Sequence, residues 1–135
     1  MGVMIDSSVL IESERGRLDI EAFVSDREDE PFGISVITVA ELLHGVHRAN
    51  SSKRRRKRSA YVEKVIELFS VFPFDIASAR IYADIWADLR GKGITIGAHD
   101  LMIGSTALSL GYSVATFNER HFERIEGMKV ELLNR

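Results

Sequence analysis

Short apolar runs alternate with helical stripes along the chain, and this alternation restricts the fold more than any other feature. Val3-Met4-Ile5 is an apolar run closed by Asp6, and Phe32 to Ser35, Val71 to Phe74, Tyr112 to Thr116 and Lys129 to Leu133 are similar brief segments. Runs this short and continuous read as strands. The stretches between them follow the helical period. Val9, Leu10 and Ile11 start a short helix, and Leu18 to Asp26 reads as a second. From Thr38, residues Val39, Leu42, Leu43 and Val46 fall at offsets of three, four and seven, along one helical face. Tyr61, Val65, Ile66 and Phe69 form another such stripe. A further helix carries Ile81, Tyr82, Ile85, Trp86 and Leu89, with Asp75 placed to cap its start and Gly91 and Gly93 to end it. Ala98 to Leu110 reads as the next helix, stopped at Gly111. Strands alternating with helices build an α/β layered domain around a mostly parallel sheet. In such sheets, ligands gather beyond the carboxyl ends of the strands. No repeat or linker divides the chain, so residues 1–135 read as one domain.

Composition acts mainly by exclusion. The absence of cysteine removes disulfide scaffolds, zinc ribbons and thiol nucleophiles. A content of 45% hydrophobic and 28% charged residues excludes a disordered or low-complexity tail. Asp6 interrupts the first apolar stretch and no basic segment precedes it, so no signal peptide is read there. Leu101 to Asn118 is an uncharged run of 18 residues, long enough to raise a membrane span. Gly111 divides it and five hydroxyl residues dilute it, so it reads as a buried helix followed by a buried strand. The expected compartment is the cytoplasm. The net charge of −2 conceals an asymmetry: Lys53, Arg54, Arg55, Arg56, Lys57 and Arg58 form an unbroken basic block. Without those six, 12 cations remain against 20 acids, a balance of −8. An acidic body with one basic patch suits a protein that binds both a cation and a polyanion.

The acids sit where strands hand over to helices. Asp6 ends the first strand, Glu41 falls in the first turn of the Thr38 helix, and Asp100 in the first turn of the Ala98 helix. Asn118 and Glu119 follow the Tyr112–Thr116 segment. Each position has a local explanation. Asp6 is placed to cap the helix that follows, Thr38-x-x-Glu41 has the form of a capping box, and the helix dipole favours Asp100. Together they point further, because three carboxylates and an amide from distant segments can converge on one edge of a parallel sheet. Clustered carboxylates raise one another's pKa. A hard divalent cation such as Mg²⁺ or Mn²⁺ relieves that conflict and takes oxygen ligands. Such an ion activates water and stabilises a leaving oxygen, so the substrate that fits is a phosphodiester.

Four segments carry a family resemblance: VMIDSSVLIE, ISVITVAELLHGV, ITIGAHDLMIGSTAL and VATFNERHFERIEGMKV. In order and spacing they resemble a PIN-domain ribonuclease, most of all the VapC type, the toxin half of a toxin–antitoxin pair. The resemblance implies a PIN-like three-layer α/β/α sandwich with a mostly parallel central sheet of about four to five strands. It implies Mg²⁺- or Mn²⁺-dependent endonucleolytic cleavage of RNA, with Asp6, Glu41, Asp100 and Asn118 as catalytic residues. Asp6 and Asp100 then bind metal, Glu41 reaches it through water, and Ser7 and Thr116 support them. Such proteins pair as homodimers and are silenced by a small antitoxin covering the active groove. Asn118 stands at a position that is aspartate or asparagine among relatives, and supplies an oxygen without charge. The expected site therefore holds one ion tightly and a second weakly or only with substrate. Arg48 and the Lys53–Arg58 block are expected to hold the RNA backbone from a hairpin beside the carboxylate edge.

Other signals are weaker. His44 and His47 lie three apart but lack the partners of a helical metalloprotease motif. His99 and His121 are left without a role. Tyr61, Tyr82 and Trp86 have the spacing of core or dimer packing rather than of a base-stacking platform. Two other function classes compete with the nuclease. A catalytically inactive PIN-fold RNA-binding or assembly module has no need of a metal. A phosphotransferase using Asp6 as nucleophile needs a second aspartate two residues on, where this chain has Ser8.

Overall fold

The computed structural model describes residues 2–27, 29–131 and 133. Five strands form one sheet: β1 (Val3–Ile5), β2 (Phe32–Ser35), β3 (Ser70–Phe72), β4 (Ser113–Ala115) and β5 (Val130–Glu131). The helices are α1 (Ser7–Glu14), α2 (Ile20–Ser25), α3 (Val36–His47), α4 (Ser52–Leu68), α5 (Ile76–Gly91), α6 (Ala98–Leu110) and α7 (Glu119–Glu123). The strand order is β3-β2-β1-β4-β5, and every pairing is parallel. The chain builds outward from β1 to β3 on one side, then returns to lay β4 and β5 on the other. The order reverses between β1 and β4, the switch point at which doubly wound sheets open a crevice.

Alternation along the strands sorts side chains onto two faces. Met4 pairs with Val114, and both enter a core with Leu89, Leu101, Ile103, Ala107, Phe122 and Ile125, under α5, α6 and α7. Ile5 turns to the opposite face and packs with Val9, Leu10, Ile34, Leu42, Val62 and Val65, under α1, α3 and α4. The result is the expected three-layer α/β/α sandwich. The uncharged run from Leu101 supplies the buried face of α6 and the wholly buried β4. No described helix is long and apolar enough to cross a membrane.

Most element ends follow local chemistry. The Asp75 side chain accepts from the Ser78 amide and caps α5, and Gly111 closes α6 at φ 70, a left-handed conformation that glycine adopts without strain. Strand ends differ from expectation by one or two residues, and the Leu132 portion of the Lys129–Leu133 expectation lies outside the described residues. Two expectations need correction. Helix α3 begins at Val36 rather than Thr38, because β2 runs directly into it and Ser35 is the cap, its hydroxyl accepting from the Ile37 amide. Thr38 is therefore interior and fully buried, its hydroxyl has no partner among the described residues, and the capping box does not form. Glu41 consequently sits in the second turn, with its side chain released from capping. The basic block lies inside α4, not in a loop before it, because the Ser51 hydroxyl accepts from the Arg54 amide and starts the helix there.

Candidate active site

The acidic residues collect at the carboxyl edge of the sheet beside the β1/β4 switch point. Asp6 follows β1 directly and is 1% exposed. It occupies the cap position of α1, but its side chain caps nothing. Thr116, just beyond β4, donates its hydroxyl to Asp6 Oδ2 at 2.8 Å, and Ser8 donates to the same oxygen at 2.9 Å. The parallel pairing of Ile5 with Ala115 brings Asp6 and Thr116 together across 110 residues of sequence. Burial pushes the Asp6 carboxyl above its ordinary value, against the two hydroxyl bonds, and the Asp100 charge pushes it further.

Glu41 accepts from the Ser7 hydroxyl at 3.1 Å through Oε1, while Oε2 lies 3.5 Å from His99 Nδ1. Its carboxyl is also raised, first by burial, then by the negative charge of Asp6 and, less, of Asp100. Asp100 stands in the first turn of α6 as expected, and its Oδ2 lies 2.5 Å from His121 Nδ1. Side-chain exposure rises from Asp6 at the base to Asp100 at 18% and Glu41 at 27%, so the cluster forms a recess open on one side.

Structure thus brings Asp6, Glu41 and Asp100 within electrostatic reach of one another, with Ser7 and Thr116 on two of them. Asn118 is present at the edge through its backbone, which donates to Thr116 Oγ1 at 2.9 Å; its side chain neither caps α7 nor bonds to any of the three acids. Ser8, His99 and His121 also touch the acids, roles not read from the sequence. Ser8 carried a local signal, a hydroxyl two residues after a strand-end acid. The partners of the two histidines lie 58 and 21 residues away and leave no local trace.

The basic residues divide. A groove of about 420 Å³ beside the acids is lined by Glu41, Leu42 and Gly45 of α3, by Arg48, by Ile11, Glu14 and Arg15, and by Arg58, Tyr61 and Val62 of α4. Arg58 also donates to the Gly45 carbonyl at 3.0 Å, and Arg55 to that of Ala49 at 3.3 Å, tying α4 to the end of α3. Arg54 bonds Asn50. Of the expected RNA-binding set, only Arg48 and Arg58 share a groove with a catalytic candidate; Lys53, Arg54, Arg55, Arg56 and Lys57 lie outside it. Arg15 joins them from the end of α1, a contribution not anticipated.

The donor set decides what the recess suits. Three carboxylates offer only oxygen, and two are held above their ordinary pKa by burial and mutual charge, an imbalance that a hard cation relieves. No three His, Asp or Glu side chains among the described residues already close on a point as a full metal cage does.

The family model for the PIN domain matches residues 3–128. The chain belongs to the PIN-domain family. Ribonuclease VapC1 from Rickettsia felis is 42% identical, with 96% of this chain and 95% of that protein aligned. A tRNA(fMet)-specific endonuclease VapC from Salmonella typhimurium is 38% identical over 73% of this chain and 72% of its own. Among solved structures, DNA-bound VapBC from Salmonella typhimurium superposes with a TM-score of 0.86 at 31% identity, covering 97% of both chains. VapBC2 from Rickettsia felis, bound to a promoter DNA fragment, reaches 0.88 at 21% identity, covering 99% of this chain and all of the other; that likeness concerns the fold. The PIN match begins at β1, contains all three acids and ends just before β5.

Proposed function

We infer that this PIN-domain chain is a metal-dependent endoribonuclease that cleaves RNA phosphodiester bonds and acts as the toxin of a toxin–antitoxin pair. The observation that carries the reading is the acidic recess beside the β1/β4 switch point, where Asp6, Glu41 and Asp100 lie within electrostatic reach of one another. Relatives named as ribonucleases and found as VapBC assemblies support it.

In this reading Asp6 and Asp100 would hold one Mg²⁺ or Mn²⁺ directly, and Glu41 would act through water. Two direct ligands agree with a divalent ion that keeps several waters. When bound, that ion supplies Lewis acidity toward water and the scissile phosphate. Thr116 and Ser8 fix the Asp6 carboxylate at the base of the recess. Glu41, more exposed, is placed to orient water and to accept a proton from it. Arg48, Arg58 and Arg15 offer cations along the neighbouring groove, where the phosphates on one side of the cut would lie. The remaining cations of the block supply a more distant field that draws RNA in. Asn118 adds no charge, so the site would hold one ion tightly in the absence of substrate. The expected partners are a small antitoxin that covers this groove and a second copy of the chain, in the cytoplasm.

The test is cleavage of total RNA by the purified chain with Mg²⁺, with new 5′ ends mapped by sequencing. Asp6→Asn, Glu41→Gln and Asp100→Asn should each lose cleavage while keeping the fold by circular dichroism. If all three variants cut as the parent does, the acidic recess is not the catalytic centre. Retained RNA binding with no Mn²⁺ uptake and no cleavage by the parent would favour the inactive binding module.

A further inference from the structure

We propose that His121 is a positioning residue for Asp100. Its Nδ1–H holds one carboxylate oxygen, so that the other is presented to the cation; the inference rests on the functional reading above. The two atoms lie 2.5 Å apart, within hydrogen-bond reach, and the ring tautomer that carries its proton on Nδ1 donates to the carboxylate.

The element that carries His121 is anchored on both sides. The Asn118 amide is tied to Thr116 Oγ1, the same hydroxyl that holds Asp6. The His121 amide bonds the Asn118 carbonyl at 3.0 Å. The next residue, Phe122, is fully buried in the core beneath α6, which carries Asp100. A short five-residue helix thereby becomes a rigid arm between two of the acids. Asp6 shows the same design, with one oxygen taken by Thr116 and Ser8. His121 gives Asp100 the equivalent hold. The imidazole is itself 54% exposed, so its removal opens no core cavity. An exposed carboxylate–imidazole pair adds little to stability. Its value lies in the orientation of a ligand, where loss of such a partner lowers metal affinity about 10- to 100-fold.

His121→Ala and His121→Asn separate this role from a structural one. Asparagine carries an N–H donor on the same side-chain atom as the imidazole Nδ1, whereas alanine carries none. Mn²⁺ titration by calorimetry should show affinity falling about 10-fold or more in His121→Ala and largely recovering in His121→Asn. Melting temperatures of the metal-free proteins should coincide. RNA cleavage by His121→Ala should recover as Mn²⁺ is raised, with KM for RNA unchanged. In the metal-free parent, ¹⁵N NMR should find the neutral His121 ring protonated at Nδ1, and Asp100→Asn should disturb that signal. Parental Mn²⁺ affinity in His121→Ala, equal loss in both variants, or an Nε2-protonated ring would each overturn the proposal. A parent that neither binds Mn²⁺ nor cuts RNA, yet shows the Nδ1–H ring, would refute the nuclease reading and with it any role of His121 toward a metal, leaving only the contact.

Discussion

Replacing Asp6 by asparagine should make the metal-free protein more stable, although it removes the residue most central to the site. Asp6 is buried, its carboxyl is held above the ordinary value, and burial outweighs the hydroxyl bonds from Thr116 and Ser8. The environment therefore favours the uncharged side chain. Asparagine keeps an oxygen that accepts from both hydroxyls. Trading two charge-assisted bonds for neutral ones forfeits about 1 kcal/mol each. Where Asp6 is ionised, removing that buried charge recovers several kcal/mol. The net expectation is a gain of about 1–3 kcal/mol, or about 3–10 °C in melting temperature for a chain of this length. The sign also sets the pH dependence. Asp6 and Glu41 are raised from 3.8 and 4.5, so above those values the folded state holds more protons than the unfolded one. Stability of the metal-free parent then falls as pH rises through and beyond that range, and the advantage of Asp6→Asn grows with it. Calorimetric melting in chelator, from about pH 4 to about pH 8, measures both effects. Added Mn²⁺ should stabilise the parent by about 2.7 kcal/mol at one hundred times its dissociation constant and leave the variant nearly unmoved. A variant that melts below the parent at the alkaline end in chelator, with its fold intact, would show that burial does not disfavour the Asp6 charge.

Other predictions concern the supports of the recess and the groove. Thr116→Val removes both the donor to Asp6 and the acceptor of the Asn118 amide in a fully buried position, and should destabilise by about 1–3 kcal/mol in chemical denaturation. Arg48→Gln, in an Asp100→Asn background chosen to suppress cleavage, should weaken RNA binding and flatten its log–log salt dependence by about 0.7, whereas Lys53→Gln should change that slope less. Gly111→Ala forces a side chain into a left-handed conformation at the end of α6 and should cost about 1–2 kcal/mol by thermal melting.

The fold was legible wherever local chemistry decided it. Asp75 and Gly111 mark element ends by side-chain preference alone, and the structure agrees, whereas Asp6 closes β1 without its side chain capping α1. Thr38-x-x-Glu41 misled because two capping patterns overlap. Ser35 lies three residues upstream of Thr38, and the direct passage from β2 into α3 gives Ser35 the cap. The start of α4 is set by the Ser51 hydroxyl, which places the whole basic block inside the helix. The acids were found because each sits at a strand end or an early helical turn, the places a parallel sheet brings together. Their partners were not found, because His121 and His99 reach Asp100 and Glu41 only through tertiary packing. The split of the basic block into groove-lining and outlying residues likewise depends on how α4 lies along α3, which its sequence does not encode locally.

Anomalous diffraction from crystals grown with Mn²⁺ would locate a cation held by the acids. A peak is expected in the recess touching oxygens of Asp6 and Asp100, with Glu41 one water away, and it should vanish in Asp6→Asn. Manganese bound elsewhere with the recess empty, or bound equally well after that substitution, would contradict that expectation.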